Sequence, residues 1–432
     1  MATQANTNKS ESNLESYLGW LAIVLAAALP LYRPWVTLAT TAILVLWLFG
    51  GGLSLRAGRL RSHRLTLAVL FFLALNVISL AWTSDPGAGL RYLTKYRYLL
   101  LIPMLASSVR LIYRRWAVTA FELAAGASVV LSVGILVGML RLRDAHPGNP
   151  SPTMAHLDYG LLLALAALMI VARILYSKMS AGRTALWTVL AILTTIGLMV
   201  NIGGSGHLAF AGGLVVLLVH WARGRPARLV IGVGTGFAMA LVLVWFLFPK
   251  FQARVDETHT ELRNAIVDQR YDSNLGGRVA AMKVAREIFR QNPWFGTGVG
   301  ANIPAFRRAL DTRFKELKPS IYWYRHFHNQ YAQVATELGI AGLLALAWIF
   351  WELIRAPHNR RETDAAALIL ATVYLLGFLG EPFFHKQITL VMFSLFAGLI
   401  SADQLDADST KGDEGKGLRV KSEVGFESAD LS

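Results

Sequence analysis

The sequence predicts an all-α polytopic membrane protein, with about 12 transmembrane helices and one large outer loop containing short helices. Three observations predict it. Hydrophobic residues make up 54% of the 432 and charged residues only 16%, where soluble domains carry about a quarter charged, and the mean hydropathy is +0.45. Apolar stretches of about 20 residues, the length needed to cross the hydrocarbon of a bilayer, recur along the chain. One polar insert, from Lys250 to about Glu337, interrupts them late.

The spans are expected to begin near Tyr17, Trp35, Leu65, Trp116, Tyr159, Ala185, His207, Leu229, Gly339, Ala365 and Ile388. A shorter apolar core over Tyr98 to Val109 makes twelve. Between Thr184 and Ala222 there is no Asp, Glu, Lys or Arg, and the Gly203-Gly204-Ser205-Gly206 turn divides this stretch into two helices. The polar start, Met1 to Glu15, lacks a basic n-region, so the first apolar run is expected to be a retained span. The resulting organisation is an N-terminal segment 1–15, spans one to nine in 16–249, the outer loop 250–337, spans ten to twelve in 338–402, and a polar tail 403–432 expected to be disordered.

Alternate loops sort by sign. Arg56, Arg59, Arg61 and Arg64 fill one connection; Arg110, Arg114 and Arg115 fill the next but one. Arg173, Lys178 and Arg183 follow, then Arg223, Arg225 and Arg228, then Arg355, Arg360 and Arg361. Basic loops mark the cytoplasmic side, which places both termini in the cytoplasm and the large loop outside. The net charge of +15 thus reflects topology and lipid headgroups, and no nucleic-acid partner is expected. The absence of Cys excludes disulfides, thiolate metal sites and cysteine nucleophiles.

Three segments of the loop carry candidate chemistry. Ser273 to Arg278 leads into a helix whose apolar face is expected at Val279, Met282, Ala285 and Ile288/Phe289, with Lys283, Arg286, Glu287 and Arg290 opposite. Its glycine-rich start offers free amides and Arg278 to a phosphate; an interfacial helix with its basic face on headgroups fits equally. Pro293 to Gly300 is expected to be a tight turn, because no strand precedes its glycines as a nucleotide loop requires. Tyr322 to Asn329 combines an aromatic belt with His326 and His328. The pair is open to three readings: general base, interfacial packing, or metal ligation, the last without a nearby carboxylate or thiol to complete it. No metal is expected. Asp406-Ala407-Asp408 resembles a sugar-nucleotide metal motif but lies in the cytoplasmic tail. On the outer side of the fourth span Arg91, Lys95 and Arg97 break the charge rule, which an anionic substrate or lipid headgroups would explain.

His326-Phe327-His328-Asn329-Gln330-Tyr331, followed by Glu337-Leu338-Gly339-Ile340-Ala341-Gly342, resembles the His-Asn signature of bacterial O-antigen ligases and their polymerase relatives. Gly277-Arg278 and the Pro293-to-Gly300 turn match the same pattern in order and spacing. The resemblance implies a GT-C-like, inverting, metal-independent glycosyltransferase of the bacterial inner membrane with its large loop periplasmic, needing no cofactor. Its donor would be undecaprenyl-diphosphate-linked O-antigen and its acceptor the lipid A–core oligosaccharide, with membrane lipids around both. It further implies His328 as catalytic base and Arg278 as an essential arginine. His326, Asn329, Tyr331, Arg91, Lys95 and Arg97 are the expected substrate contacts. One departure stands out: Gly204 occupies an outer-turn position where the family often has arginine, so another cation is expected to complete the diphosphate clamp. The alternatives are an O-antigen polymerase, a protein O-oligosaccharyltransferase, or, from another class, a transporter or flippase. Transport is disfavoured because few ionisable residues, Glu122 among them, fall within the spans.

Overall fold

A computed structural model describes residues 2–142, 145–247, 249–356 and 360–405. The tail from residue 406, with Asp406 and Asp408, lies outside the described residues. The chain is helical throughout them apart from turns and two isolated bridges at 142–149. A helix satisfies its own backbone groups, which hydrocarbon demands. In order come α1 (Ala2–Leu31), α2 (Arg33–Phe49), α3 (Leu53–Leu60), α4 (Arg64–Ile78), α5 (Pro86–Tyr96), α6 (Leu101–Ala106), α7 (Leu111–Leu136), α8 (His156–Tyr176), α9 (Ala181–Val200) and α10 (Gly204–Ala222). Then follow α11 (Ala227–Leu247), α12 (Pro249–Ile266), α13 (Asn274–Gln291), α14 (Asn302–Thr312), α15 (Lys318–Ile321), α16 (Gln330–Arg355) and α17 (Arg361–Gly377). Helix α18 (Gln387–Leu405) closes the described chain.

Among the described residues, eight helices are long and apolar enough to cross a membrane, and nine if α2 and α3 count as one bent span. That is fewer than the twelve expected. The expected span from Trp35 is the 17-residue α2, bent by 103° into α3 at Gly50 to Gly52. The stretch from Tyr98 breaks into a 3-10 turn and the six-residue α6. Helix α17 has 17 residues, and α11 keeps only a shorter apolar core, Ala227–Gly236.

Two layers position the site. The bundle is built around α18, almost wholly buried, and α8, the next most buried of the spans. Helices α10 and α17 pack on α8, and α16 packs on α4. The second layer is a small separate core in the loop, where Ala280, Ala281, Val284, Ala285 and Ile288 of α13 meet Phe306, Leu310, Ile321, Tyr324 and Phe327. This stripe differs by a rotation from the expected one: Met282 is 41% exposed, and Ala281 and Val284 are buried instead. Since the apolar face of α13 is spent inside this core, it does not rest on lipid.

The Pro293–Gly300 segment is the tight turn expected, and it joins the two layers. Thr297 N and Gly298 N donate to the carbonyls of Thr336 and Glu337, both at 2.9 Å, and Ile340 N and Ala341 N donate back to Pro293 O and Trp294 O. Val299 N reaches the Ser79 hydroxyl at the end of α4 (3.0 Å). The exchange is possible because Gly339 breaks α16 at φ 64°, ψ −152°, a conformation essentially confined to glycine. Gly296 also has positive φ, and a Cβ there would sit 2.4 Å from the Glu337 carbonyl carbon.

Candidate active site

His328 owes its placement to the start of α16. Asn329 caps that helix: its side-chain oxygen accepts from Ala332 N (2.9 Å), and its amide group donates to Leu379 O (3.2 Å). Gln330 N donates to Phe378 O (2.9 Å) and the Tyr331 hydroxyl to Leu375 O (2.7 Å). Asn329 and Tyr331, expected as substrate contacts, thus spend these groups tying α16 to the end of α17. The turn holds His328 at φ 52°, a region L-residues with side chains rarely enter.

The ring of His328 is turned on a partner from far along the chain. Its Nδ1 lies 3.0 Å from Oε2 of Glu381, in the turn between α17 and α18. With Nδ1 donating, Nε2 carries the lone pair. The backbone N of His328 donates to Nδ1 of His326 (3.2 Å), which leaves the proton of His326 on Nε2, 3.4 Å from Glu381 Oε1. Lys386 Nζ is 3.2 Å from Glu381 Oε1 and 2.9 Å from Oδ1 of Asp158 at the start of α8. Tyr324 packs edge-on against the His328 ring with centroids 4.8 Å apart, and that position of its phenol is open because Gly277 has no Cβ.

Electrostatics sharpens the roles. Burial works against the charge of Glu381, but the hydrogen bond from His328 and the charge of Lys386, joined in acid by a protonated His326, outweigh it and hold the carboxyl at about 2. It is an anion across the physiological range. Burial lowers His326 to about 4, against the pull of Glu381 and with help from His328, Lys386 and Arg278. His326 is therefore neutral.

Arg278, on the first turn of α13, is half-buried. Its charge acts on both His326 and Tyr324, and Nη1 would lie 3.6 Å from a Cβ on Gly380, beside Ser205. Its guanidinium makes no hydrogen bond or ion pair with the described residues. The expected free amides are absent: Gly276 N donates to the Ser273 cap (3.0 Å), Leu275 N to the Glu261 carboxylate (3.0 Å) and Gly277 N to Ser273 O (2.9 Å). What remains for an anion is the arginine side chain. Gly204 opens α10 next to Ser205, and a Cβ there would meet open space.

The other expected cations divide. Lys95 Nζ donates to the backbone carbonyl of His385 (3.0 Å), directly behind Lys386. Arg91 and Arg97 are exposed, with Arg97 over the Tyr98 ring at 5.3 Å, and no ion pair joins either to the cluster among the described residues. Behind the site a second buried layer forms. His385 Nε2 lies 2.6 Å from the Tyr96 hydroxyl and 3.6 Å from Glu337 Oε2, and Glu337 Oε1 accepts from Gln333 Nε2 (2.9 Å). Burial, then Lys95 and His326, depress His385 to about 3.

The residues hidden from sequence reasoning are Glu381, Lys386 and Asp158. Their signal was faint but present, since Glu381 and Lys386 are charges set between the last two apolar stretches. Glu381 also corrects the reading that the histidines lack a carboxylate: ligand atoms of His326, His328 and Glu381 all lie within 4.8 Å of one another. Two imidazoles and a carboxylate form a zinc-like donor set. Here the ammonium of Lys386 already stands against that carboxylate.

Residues 189–347 match the family model described as O-Antigen ligase. No curated protein matches the chain. The matched stretch opens in α9 and ends in α16, so it contains Arg278, His326 and His328 but stops short of Glu381 and Lys386. Eight apolar membrane-length helices and this match agree with the signature found in the sequence: the chain is a multi-pass membrane protein that over residues 189–347 is similar to the O-antigen ligase family.

Proposed function

We propose that this protein is an O-antigen ligase, a GT-C-like enzyme of about twelve spans in the bacterial inner membrane. It would transfer O-antigen polysaccharide from undecaprenyl diphosphate to a hydroxyl of the lipid A–core oligosaccharide at the periplasmic face. The observation that carries this reading is the His328–Glu381 pair beside Arg278, at the junction of loop and bundle.

In this mechanism the anionic Glu381 fixes the His328 tautomer, so Nε2 takes the proton of the acceptor hydroxyl. The acceptor oxygen attacks the anomeric carbon from the face opposite the diphosphate and inverts it. The bond from that carbon to the diphosphate oxygen breaks, and the electron pair leaves with the diphosphate. Arg278 meets the growing phosphate charge with charge-assisted hydrogen bonds, with Lys386 or Lys95 in the place of the family arginine absent at Gly204. Glu381 stabilises the imidazolium that forms. No nucleotide or metal is required, because the donor brings its own leaving group and Lys386 supplies the cation.

The deciding experiment is ligation with purified lipid-linked donor and lipid A–core acceptor, paired with a deletion strain. A ligase leaves long polymer on the lipid carrier and no long-chain lipopolysaccharide in the deletion strain. Single-repeat caps would instead identify a polymerase, and glycosylated protein lost on deletion would identify an oligosaccharyltransferase.

A further inference from the structure

Helices α7, α8, α17 and α18 meet again at the end of the bundle away from His328. Along α8 alone, Asp158 and Arg173 are fifteen positions apart, roughly 22 Å at the helical rise. There the four helices leave a cavity of about 330 Å³. One wall is apolar, from Met169, Ile369, Phe396 and Leu399; the other carries Arg114, Arg115, Arg173 and Arg360 with the carboxylates of Glu122, Glu362 and Asp403.

Part of this charge is internally matched. Arg173 holds Oε2 of the fully buried Glu122 at 2.8 Å (Nε) and 2.7 Å (Nη2), and Arg114 Nη1 lies 3.4 Å from Asp403 Oδ1. The second oxygens are not matched. Oε1 of Glu122 and Oδ2 of Asp403 are buried and accept no hydrogen bond from the described residues. A buried carboxylate oxygen without a donor is costly, and both residues stand on the lining of this one cavity. Arg115 is exposed and Arg360 half-buried on the same lining.

An occupant that satisfies this wall needs N–H or O–H donors for the two oxygens and an anion for Arg115 and Arg360. It also needs an apolar body to lie along Met169, Phe396 and Leu399. Basic pockets between membrane helices take lipid headgroups on these grounds. We propose that this cavity binds a membrane phospholipid of the ethanolamine class, its phosphate on Arg115 and Arg360 and its ammonium on Glu122 Oε1 and Asp403 Oδ2. The ammonium offers three N–H donors to the carboxylates, and a trimethylated head of the same charge has none.

The test uses the purified full chain, delipidated in detergent, with phosphatidylethanolamine, phosphatidylcholine and phosphatidylglycerol added separately. Native mass spectrometry reads retained lipid, and thermal melting reads stabilisation. Retention of the ethanolamine lipid about tenfold above the choline lipid is expected, the scale of one charge-assisted hydrogen bond. Arg115→Ala combined with Arg360→Ala is expected to lower that retention about tenfold without moving the melting point of the delipidated protein. Equal retention of ethanolamine and choline lipids, better retention of the glycerol lipid, or a double variant that retains lipid normally overturns the proposal. Should the double variant fail to fold, the comparison of lipids on the unmodified protein still decides.

Discussion

Nδ1 of His328 lies 3.0 Å from Oε2 of Glu381, across 53 residues of sequence. A carboxylate held ionised to about 2 against one ring nitrogen leaves the other basic and prepared to receive a proton. His328→Ala is expected to lower ligation by about 10²–10⁴-fold, the usual worth of general base catalysis. Glu381→Gln keeps the shape but loses the anion that supports the imidazolium, so turnover should fall, though less than for His328→Ala. A variant at His328 that ligates at the normal rate would remove the base assignment.

Arg278 is a cation left open to substrate, since its guanidinium has no hydrogen-bond or ion-pair partner among the described residues and lies close to Gly380. Arg278→Lys retains charge but loses the planar fork that grips two phosphate oxygens. A fall of about 10²–10³ in kcat is expected, comparable to losing a donor to developing charge. Unchanged kcat with raised KM would assign Arg278 to ground-state binding alone.

The buried histidines make stability depend on pH. His385 is held to about 3 and His326 to about 4 by burial, so both stay neutral in the fold where an ordinary histidine at about 6.5 protonates. Between these values the unfolded chain binds more protons, so stability falls as the pH falls. It is fully present above about pH 6.5 and is lost as pH drops toward 4 and then 3. Glu381, held at about 2, adds a contribution that is lost only below its ordinary range, toward pH 2. The melting temperature in detergent should therefore fall from pH 7 to pH 5, with a shallower slope for His385→Asn. A midpoint flat over this range would contradict the buried neutral pair.

The loop is pinned to the bundle by backbone that only glycine adopts. A Cβ at Gly339 would stand 2.4 Å from the carbonyl carbon of Trp294, so Gly339→Ala brings both a clash and a conformational cost of about 1–3 kcal/mol. Loss of folded protein on extraction is expected, while Gly204→Ala, facing open space, should melt normally. Equal melting of the two variants would show that the turn bears no strain.

Much of this arrangement was legible in the chain, for identifiable reasons. Membrane helices reveal themselves locally, because twenty apolar residues in a row have few other uses; α1, α4, α7 and α8 were each visible in this way. Length is not legible where tertiary packing shortens or bends a helix, as at Gly50 to Gly52 and in α6. His328 and Arg278 stood out because their neighbours form a recognisable pattern. Glu381, Lys386 and Asp158 did not, since their meeting depends on α8, α17 and α18 ending at one level. Asn329 and Tyr331 sit within the same pattern, yet they cap and tether α16. Spacing alone does not distinguish a residue that touches substrate from one that holds its neighbour.

Lys386 provides the sharpest test of how the charge at this site is balanced. Its ammonium stands 3.2 Å from Glu381 Oε1 and 2.9 Å from Asp158 Oδ1, paired with the carboxylate that a divalent ion would need if His326, His328 and Glu381 were ligands. With the lysine present, ligation should proceed unchanged in EDTA, and added zinc should inhibit only weakly. Lys386→Ala uncovers two imidazoles and a carboxylate whose donor atoms lie within 4.8 Å of one another, a set suited to zinc. That variant is expected to bind zinc and to be inhibited by it, because the metal would occupy the base and its carboxylate. EDTA should restore whatever activity the variant retains. If instead the unmodified enzyme loses activity in EDTA and regains it with a divalent ion, the lysine is not the site's cation and the metal-free mechanism fails.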